Sequence, residues 1–228
     1  MATLQKRILG KPTGAVGDIN FRNINGNTVI TERPAKYTMP MDEESVARRT
    51  KFALTAKFAI AVNRIMPVKK LWLMLFPERK TAVPVIFKEN FESVGAAEVF
   101  ESASLVPKDT GFGITTTDVS VSSSSVSVTI DPIGTNAGIN LSYEKYAQLC
   151  VVIKCTSPVA VGSKSIRFIS VVSDRIPLNL ASSLQFTADL SSQGKTTFEA
   201  YDSHYAYMAI LTLDEFGFPV HYSAGFAS

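Results

Sequence analysis

The two histidines are the side chains best suited to acid–base or metal chemistry, but neither has the neighbours that such chemistry requires. His204 lies near Asp202, and His221 has no cysteine or carboxylate at ligand spacing, whereas a metal site needs three or four such groups. Asp202, His204 and a serine could be drawn as a triad, but serines are so frequent that any histidine would have one nearby. We therefore predict no metal and no catalytic residue, and interpret both histidines as hydrogen-bonded polar side chains.

The other motifs do not indicate an enzyme either. Gly10-Lys-Pro-Thr-Gly14 resembles a phosphate loop only superficially, since its Gly-Lys order differs from that motif and no strand precedes it. The sequence contains no Gly-x-Ser-x-Gly nucleophile elbow. It thus predicts a structural or binding protein without a cofactor.

The two cysteines are predicted to be free thiols. Cys150 and Cys155 are five residues apart in a predicted strand. The two-residue period of a strand points them to opposite faces, so they cannot form a disulfide without breaking the strand. We expect both thiols to be buried, and an intermolecular disulfide is the weaker alternative.

Charge is distributed unevenly along the chain, although the net formal charge is only +3. Residues 1–90 contain 16 Lys and Arg against 7 Asp and Glu, whereas residues 91–228 contain 7 against 13. A basic region alone would suggest nucleic acid or a membrane surface. A basic half joined to an acidic half also suits head-to-tail contact between identical copies, and the alternative is that both are ordinary solvated surfaces.

The N-terminal region predicts a β-hairpin that leads through a linker to a helix. Ile19–Ile24 and Thr28–Glu32 are joined through Asn25-Gly26-Asn27, and Asn-Gly between β-branched segments is the strongest short hairpin signal. A lone hairpin is not stable in water, so we expect the helix, the β-rich half or another subunit to cover it. The two prolines of residues 33–40 indicate the linker.

Three helices are predicted after this linker. The first runs from Asp42 to about Met66, because Asp42 can cap free N–H groups and apolar residues then recur at three- and four-residue spacing. A second is expected over residues 68–76 and a third from Thr81 or Pro84. The apolar stripe takes most of the first helix, so its basic residues do not form the polar face that nucleic-acid binding requires. We therefore predict no nucleic-acid partner.

From residue 99 onward the sequence predicts about eight short strands separated by turns, with no helix between them. The predicted strands are Glu98–Leu105, Gly113–Ser120, Ser125–Ile130, Gln148–Cys155, Ser165–Val172, Leu184–Leu190, Ala206–Leu213 and Val220–Ala224. This pattern is typical of a β-sandwich. The predicted fold is α+β, with a basic module of hairpin and helices over residues 1–95 and an acidic antiparallel β-sandwich over residues 96–228.

Several segments carry a resemblance to a protein family. They are Gly14-Ala-Val-Gly17, Arg33-Pro34, Arg48 with Lys51-Phe52, Tyr205-Ala-Tyr-Met-Ala-Ile-Leu, Asp214-Glu and His221-Tyr222-Ser223. In them the chain resembles an uncharacterised family of Bacteroidota proteins, a domain of unknown function, over nearly its whole length. That family has no assigned activity, so the resemblance implies an architecture only: an N-terminal β–helix module followed by an immunoglobulin-like β-rich part.

These observations favour a structural subunit that self-assembles head to tail into a filament, pilus-like or otherwise helical, by strand addition and charge complementarity. Residues 12–33 of one copy are expected to add to the sheet edge of the next. The predicted interface residues are Ile19, Phe21, Val29, Arg48 and Arg49. The alternatives are a virion structural protein and a monomeric adhesive module that binds a carbohydrate or a protein.

Neither a secretory signal peptide nor a membrane span is predicted. Residues 1–30 contain several charges and no sustained apolar run, and the apolar patches elsewhere are far shorter than the roughly 20 residues that a bilayer requires. A filament would be extracellular or on the cell surface, while a cytoplasmic or virion location stays open. Asn140-Leu-Ser142 matches a glycosylation acceptor, so surface glycans are a further potential partner.

Overall fold

The protein is described by a computed structural model that covers residues 2–3, 13–24, 26–32, 39–108 and 110–228, except the side chains of residues 2, 3 and 136. The chain divides into two compact units, residues 1–45 and residues 46–228. This division lies well before the predicted boundary at residue 95, because the helices share a core with the main sheet. The glycine–lysine segment at residues 10–12 and the linker residues 33–38 lie outside the described residues.

The described part of the chain has a mixed α+β fold, as predicted, with four α-helices and three antiparallel sheets. The strands are β1 (Ala2–Thr3), β2 (Gly14–Val16), β3 (Ile19–Ile24), β4 (Asn27–Glu32), β5 (Thr116–Val121), β6 (Ser125–Ile130), β7 (Tyr146–Pro158), β8 (Ile166–Val172), β9 (Ile176–Pro177), β10 (Leu184–Asp189), β11 (Tyr201–Leu213), β12 (Pro219–Tyr222) and β13 (Phe226–Ala227). The α-helices are α1 (Glu43–Arg64), α2 (Met66–Leu75), α3 (Val83–Asn90) and α4 (Ser192–Glu199).

The N-terminal unit contains a four-stranded sheet in the order β1–β4–β3–β2. The predicted hairpin is confirmed, since Ile24 pairs with Asn27 across a two-residue loop. Gly26 in that loop has a φ of +84°, which such a tight turn needs and which a side chain would disfavour. A second tight turn, at Gly17-Asp18, adds β2 to the hairpin.

The three predicted helices are confirmed. The Asp42 carboxylate accepts a hydrogen bond from the backbone N–H of Ser45 at 2.9 Å, which caps the first turn of α1. Pro67 and Pro84 lie in the first turns of α2 and α3, where the missing N–H of a proline has no intrahelical partner to lose.

The larger unit is built on a six-stranded sheet whose main order is β12–β11–β7–β8, with β13 also paired to β11 and β9 to β7. Alternate residues of β7 and β11 face two separate cores. Helices α1–α3 cover one face, where Phe58 packs edge-on against Tyr207 with 5.3 Å between ring centroids. The three-stranded sheet β10–β6–β5 covers the other face, where Phe186 and Met208 are buried. The unit therefore has three layers: helices, the six-stranded sheet and the three-stranded sheet.

Two predictions about secondary structure are wrong. The predicted strand Glu98–Leu105 is a loop of turns, held by the Trp72 Nε1–H, which donates to the carbonyl of Leu105 at 2.8 Å, and by the buried amide of Asn90, which bonds Ser104 on both backbone groups. Helix α4 was not predicted, because its short polar sequence has no apolar period. The Ser191 hydroxyl caps it by accepting from the N–H of Gly194 at 3.2 Å.

Candidate functional site

His221 has a carboxylate partner that sequence spacing does not reveal. Its Nδ1 lies 3.0 Å from Oε1 of Glu144, 77 residues away in the chain. Because a carboxylate only accepts, Nδ1–H is the donor. The Glu144 side chain is 1% exposed, whereas that of His221 is 47% exposed. This pair lies beside a cleft of about 550 Å³ whose lining residues are Gly111, Phe112, Gly113, Ile133, Ala137, His221 and Tyr222.

The buried carboxylate is fully hydrogen-bonded. Besides the imidazole, Glu144 accepts the backbone N–H of Asn140 at 2.7 Å and the hydroxyl of Thr212. Thr212 Oγ1 also accepts the backbone N–H of His221 at 3.0 Å. Among the described residues, those that line the cleft include no serine, cysteine or lysine. The arrangement joins the 140–144 loop to β11 and β12.

His204 does not form the triad that was considered with Asp202. Its Nε2 lies 2.9 Å from the carbonyl oxygen of Phe198, and its ring stacks on the Phe198 ring at 3.5 Å between centroids. The histidine thus holds the end of α4 against β11. Among the described residues, no group of three potential metal ligands occurs.

The thiols and one lysine are the remaining reactive groups in the sheet. Cys150 and Cys155 are free and fully buried in different cores, as predicted, and burial raises the pKa of Cys155 to about 11. Burial also lowers the pKa of Lys154, against the opposing effect of Glu98 and Glu101. Its ammonium donates to the carbonyl of Val99 at 2.9 Å and lies 5.0 Å from the Tyr205 ring centroid. All three groups therefore act as parts of the core packing.

One edge of the six-stranded sheet, at β12, is closed by other parts of the chain. The backbone of Phe112 donates to Tyr222 at 3.0 Å and accepts from Ala224 at 2.9 Å. Gly111 permits this approach, because a Cβ there would lie 2.8 Å from the Tyr222 carbonyl oxygen. Pro219 begins β12, where a missing N–H suits an edge strand.

The opposite edge, at β8, has unpaired backbone groups. Ser173 N–H donates to the carbonyl of Leu149 at 2.9 Å, and the antiparallel register pairs Val171 with Val151 and Ile169 with Ile153. Since bonded residues alternate in such a ladder, the outward N–H and C=O groups belong to Ile166, Phe168, Ser170 and Val172. In the described part of the chain, these groups have no backbone partner.

This free edge is the floor of a groove, which we call the β8 groove. One part, of about 380 Å³, lies between the α1–α2 junction and the start of α4, and the other, of about 260 Å³, lies along the last turns of α1. Residues 167–172 line the first part without interruption. The wall on the helix side is fixed by the Ser170 hydroxyl, which donates to the Ala61 carbonyl at 2.7 Å.

The described residues that line the β8 groove carry positive charge. Lys57 and Arg64 of α1 line it together with Lys164 and Arg167 beside β8, and the described lining includes no aspartate or glutamate. All four side chains belong to exposed residues, and none has a carboxylate within salt-bridge distance in the described part of the chain. The described lining of the groove thus combines an unpaired strand edge with four exposed cations.

Three of the predicted interface residues, Ile19, Phe21 and Val29, lie on two faces of the N-terminal sheet. In the N-terminal sheet, Val16 pairs with Ile19 and Phe21 with Ile30, so these four share one face. Val29 pairs with Arg22 and lies on the other face. Val16 and Ile19 are 70% and 46% exposed. Strand β3 is paired on both sides in its own sheet, so it cannot add to another sheet without leaving the first.

Arg48 and Arg49 lie in the first half of α1 and do not line the β8 groove. The cations that do line it come from both halves of the sequence. Counting charge by halves therefore missed this groove, and the signal in the sequence is the pair Lys164 and Arg167 near the start of β8.

No protein-family model matches the chain, and no curated protein matches it. Within the described residues, every helix is too short or too polar to cross a membrane.

Proposed function

We propose that the protein is a structural subunit that associates head to tail with copies of itself and that the β8 groove accepts an extended segment of the neighbouring copy. One observation carries this proposal: the unpaired backbone of β8 lies at the floor of a groove with four cations and no carboxylate. In strand addition, main-chain hydrogen bonds supply affinity and alternate side chains supply register. Repeated addition of this kind produces a filament.

A protein segment fits this groove better than a nucleic acid does. The outward backbone groups of Ile166, Phe168, Ser170 and Val172 alternate donors with acceptors at the spacing of another strand. Nucleic-acid sites combine clustered cations with aromatic or amide side chains that reach bases. Phe168 is the one aromatic residue among the described residues that line the groove, and it packs against Phe58 in the core, with 5.6 Å between ring centroids.

The test blocks the edge while leaving β8 in its sheet. Val172 is 39% exposed and its N–H points outward, so Val172→Pro removes one outward donor and places a ring on the edge. The matched control, Val172→Thr, keeps the N–H and the β-branched shape. Sedimentation velocity over a range of concentrations and negative-stain microscopy compare both variants with the unmodified protein. We expect Val172→Pro to weaken association at least about tenfold, the equivalent of roughly 1.4 kcal/mol, while Val172→Thr assembles normally.

Two other outcomes would overturn the proposal. An unmodified protein that sediments as a 24.8 kDa monomer at all concentrations would show that the chain does not self-associate. Association that resists Val172→Pro but is lost with Phe21→Asp would place the joint on the exposed apolar face of the N-terminal sheet.

The proposal has three further parts, which concern the sheet arrangement, the family and the location. Two antiparallel sheets that face each other across a core support an immunoglobulin-like arrangement. The segments named above support membership of the Bacteroidota family. A location on the cell surface follows from the filament, and Asn140, an exposed residue, could carry a glycan there.

A further inference from the structure

A second strand of the larger unit also has a free edge. Strand β5 is the last strand of the three-stranded sheet and pairs only with β6 in the described part of the chain. Ser122 N–H donates to the carbonyl of Ser125 at 2.9 Å, and the register pairs Ser120 with Ser127. By the alternation of bonded residues, the backbone groups of Val119 and Val121 point outward. Strand β5 has six residues and β8 has seven, so their lengths match.

The chain segment that contains β5 has acidic residues and no basic ones. From Thr110 to Glu144 the sequence contains two aspartates and one glutamate but no lysine or arginine. Asp118 is exposed on β5 itself. Asp131 is held beside the strand, because its Oδ1 accepts the Thr117 hydroxyl at 3.0 Å and its N–H donates to the Thr115 carbonyl at 2.9 Å. Asp131 bonds β5 from the β6 side, so Asp118 is the exposed carboxylate on the strand with the free edge, whereas four cations line the groove at β8.

The two free edges lie on opposite sides of the sandwich. Beside β8, the first turn of α4 packs Gly194 against Ile169 of β8 and against Leu190, which follows β10. Beside β12, Phe112 bonds Tyr222 and the chain continues within a few residues into β5. Contact between opposite sides of identical copies is heterologous, and it repeats without closing unless the rotation makes a ring.

We infer that β5 of one copy is the segment that enters the β8 groove of the next. The inference rests on the proposed function and names its donor strand. Backbone hydrogen bonds between Val119 or Val121 and the outward groups of β8 form the ladder. Asp118 then lies near the cations of the groove, and this charge pairing fixes which copy donates and which accepts.

Mixing two edge-blocked variants tests the inference. Val119→Pro blocks β5 and leaves β8 open, whereas Val172→Pro blocks β8 and leaves β5 open. Each variant alone should remain a monomer, since each has only one working edge. Their equimolar mixture should form a one-to-one dimer and nothing larger, because β5 of the Val172→Pro chain fills β8 of the Val119→Pro chain. Val119→Thr and Val172→Thr are the controls and should assemble like the unmodified protein.

The outcomes separate this inference from the proposed function. If Val119→Pro, shown to be folded by circular dichroism, still assembles alone while Val172→Pro does not, the donor strand lies elsewhere and self-association stands. If the unmodified protein is a monomer, both fail, and Asp118 and Arg167 are instead the charges by which native proteins protect sheet edges.

A second pair of variants avoids proline altogether. Asp118 and Arg167 belong to exposed residues on the two edges, so Asp118→Lys or Arg167→Glu should each weaken association about threefold to tenfold, in the range of exposed ion pairs. The double variant restores opposite charges across the joint and should recover much of the loss. A double variant that loses as much as the two single changes combined would overturn the assignment of β5 as the donor.

Discussion

The two edges of the six-stranded sheet are treated in opposite ways. At β12 the chain returns to cover the edge: Phe112 takes up the outer backbone groups, and Glu144 joins Thr212 and His221 in a buried network. At β8 the backbone stays unpaired, and exposed cations surround it. Backbone groups of the same chain thus pair with the β12 edge. In the described part of the chain, the outer backbone groups of β8 have no such partner. An edge strand of this sheet can therefore be covered by its own chain, as β12 is, so the sheet itself does not require an unpaired edge.

The largest effect is expected at the closed edge. Glu144→Ala leaves the Thr212 hydroxyl, the Asn140 N–H and the His221 imidazole without their acceptor. Each buried donor that is left without an acceptor costs about 1–3 kcal/mol, so the loss is largest for a change that removes a shared acceptor. Urea denaturation should show this loss, and Glu144→Gln, which keeps one acceptor oxygen, should lose clearly less. Equal stability of the two variants would contradict a buried network that depends on acceptor oxygens.

Proline substitutions on adjacent residues of β8 distinguish its two sides. The Val171 N–H is bonded to β7, whereas the Val172 N–H points outward. Val171→Pro should therefore lower the free energy of unfolding by about 2–3 kcal/mol, since it leaves a buried carbonyl unpaired and distorts the ladder. Val172→Pro should lower it by less than about 1 kcal/mol. A similar loss for both variants would show that β8 is covered rather than open.

Ionisation of the Cys155 thiol should have a smaller effect on the free energy of unfolding, and this effect depends on pH. Cys155 lies next to the β8 edge strand, where it pairs with Arg167. Its pKa is raised from 9.0 to about 11 by burial. In the unfolded chain the thiol ionises near pH 9, so stability is unaffected below pH 9 and falls between pH 9 and 11. The slope is at most about 1.4 kcal/mol per pH unit. Urea denaturation at pH 8 and 10 should show a smaller loss for Cys155→Ala than for the unmodified chain.

Ionic strength gives the smallest effect. If acidic and basic edges meet, raising salt from tens of millimolar to about 0.5 M shortens the Debye length to a few ångström. Association should then weaken about threefold to tenfold, because the charges on both edges are exposed. Sedimentation in a salt series measures this directly. Association that strengthens with salt would assign the joint to apolar contacts instead.

The sequence by itself determined the local elements of this protein. Asn-Gly dictated the tight turn between β3 and β4, because positive φ is needed there. Asp42 dictated the start of α1, and odd spacing placed Cys150 and Cys155 in different cores. These features depend on residues that are neighbours in the chain, so their physics is visible in a short window. The prediction of a strand at Glu98–Leu105 was wrong because a short window does not show distant side chains, and one of these, Trp72, holds the segment as a loop.

Only the tertiary structure decided the features on which the proposed function rests. Glu144 meets His221, and Lys57 and Arg64 join Lys164 and Arg167, because sheet and helix packing brings distant segments together. Whether a strand lies at an edge is also a property of the sheet order, which no local pattern encodes. The halves of the sequence predicted opposed charge, but the sheet order set where that charge lies. In the described part of the chain, four cations lie beside β8, Asp118 lies on β5, and each of these two strands has one edge without a backbone partner.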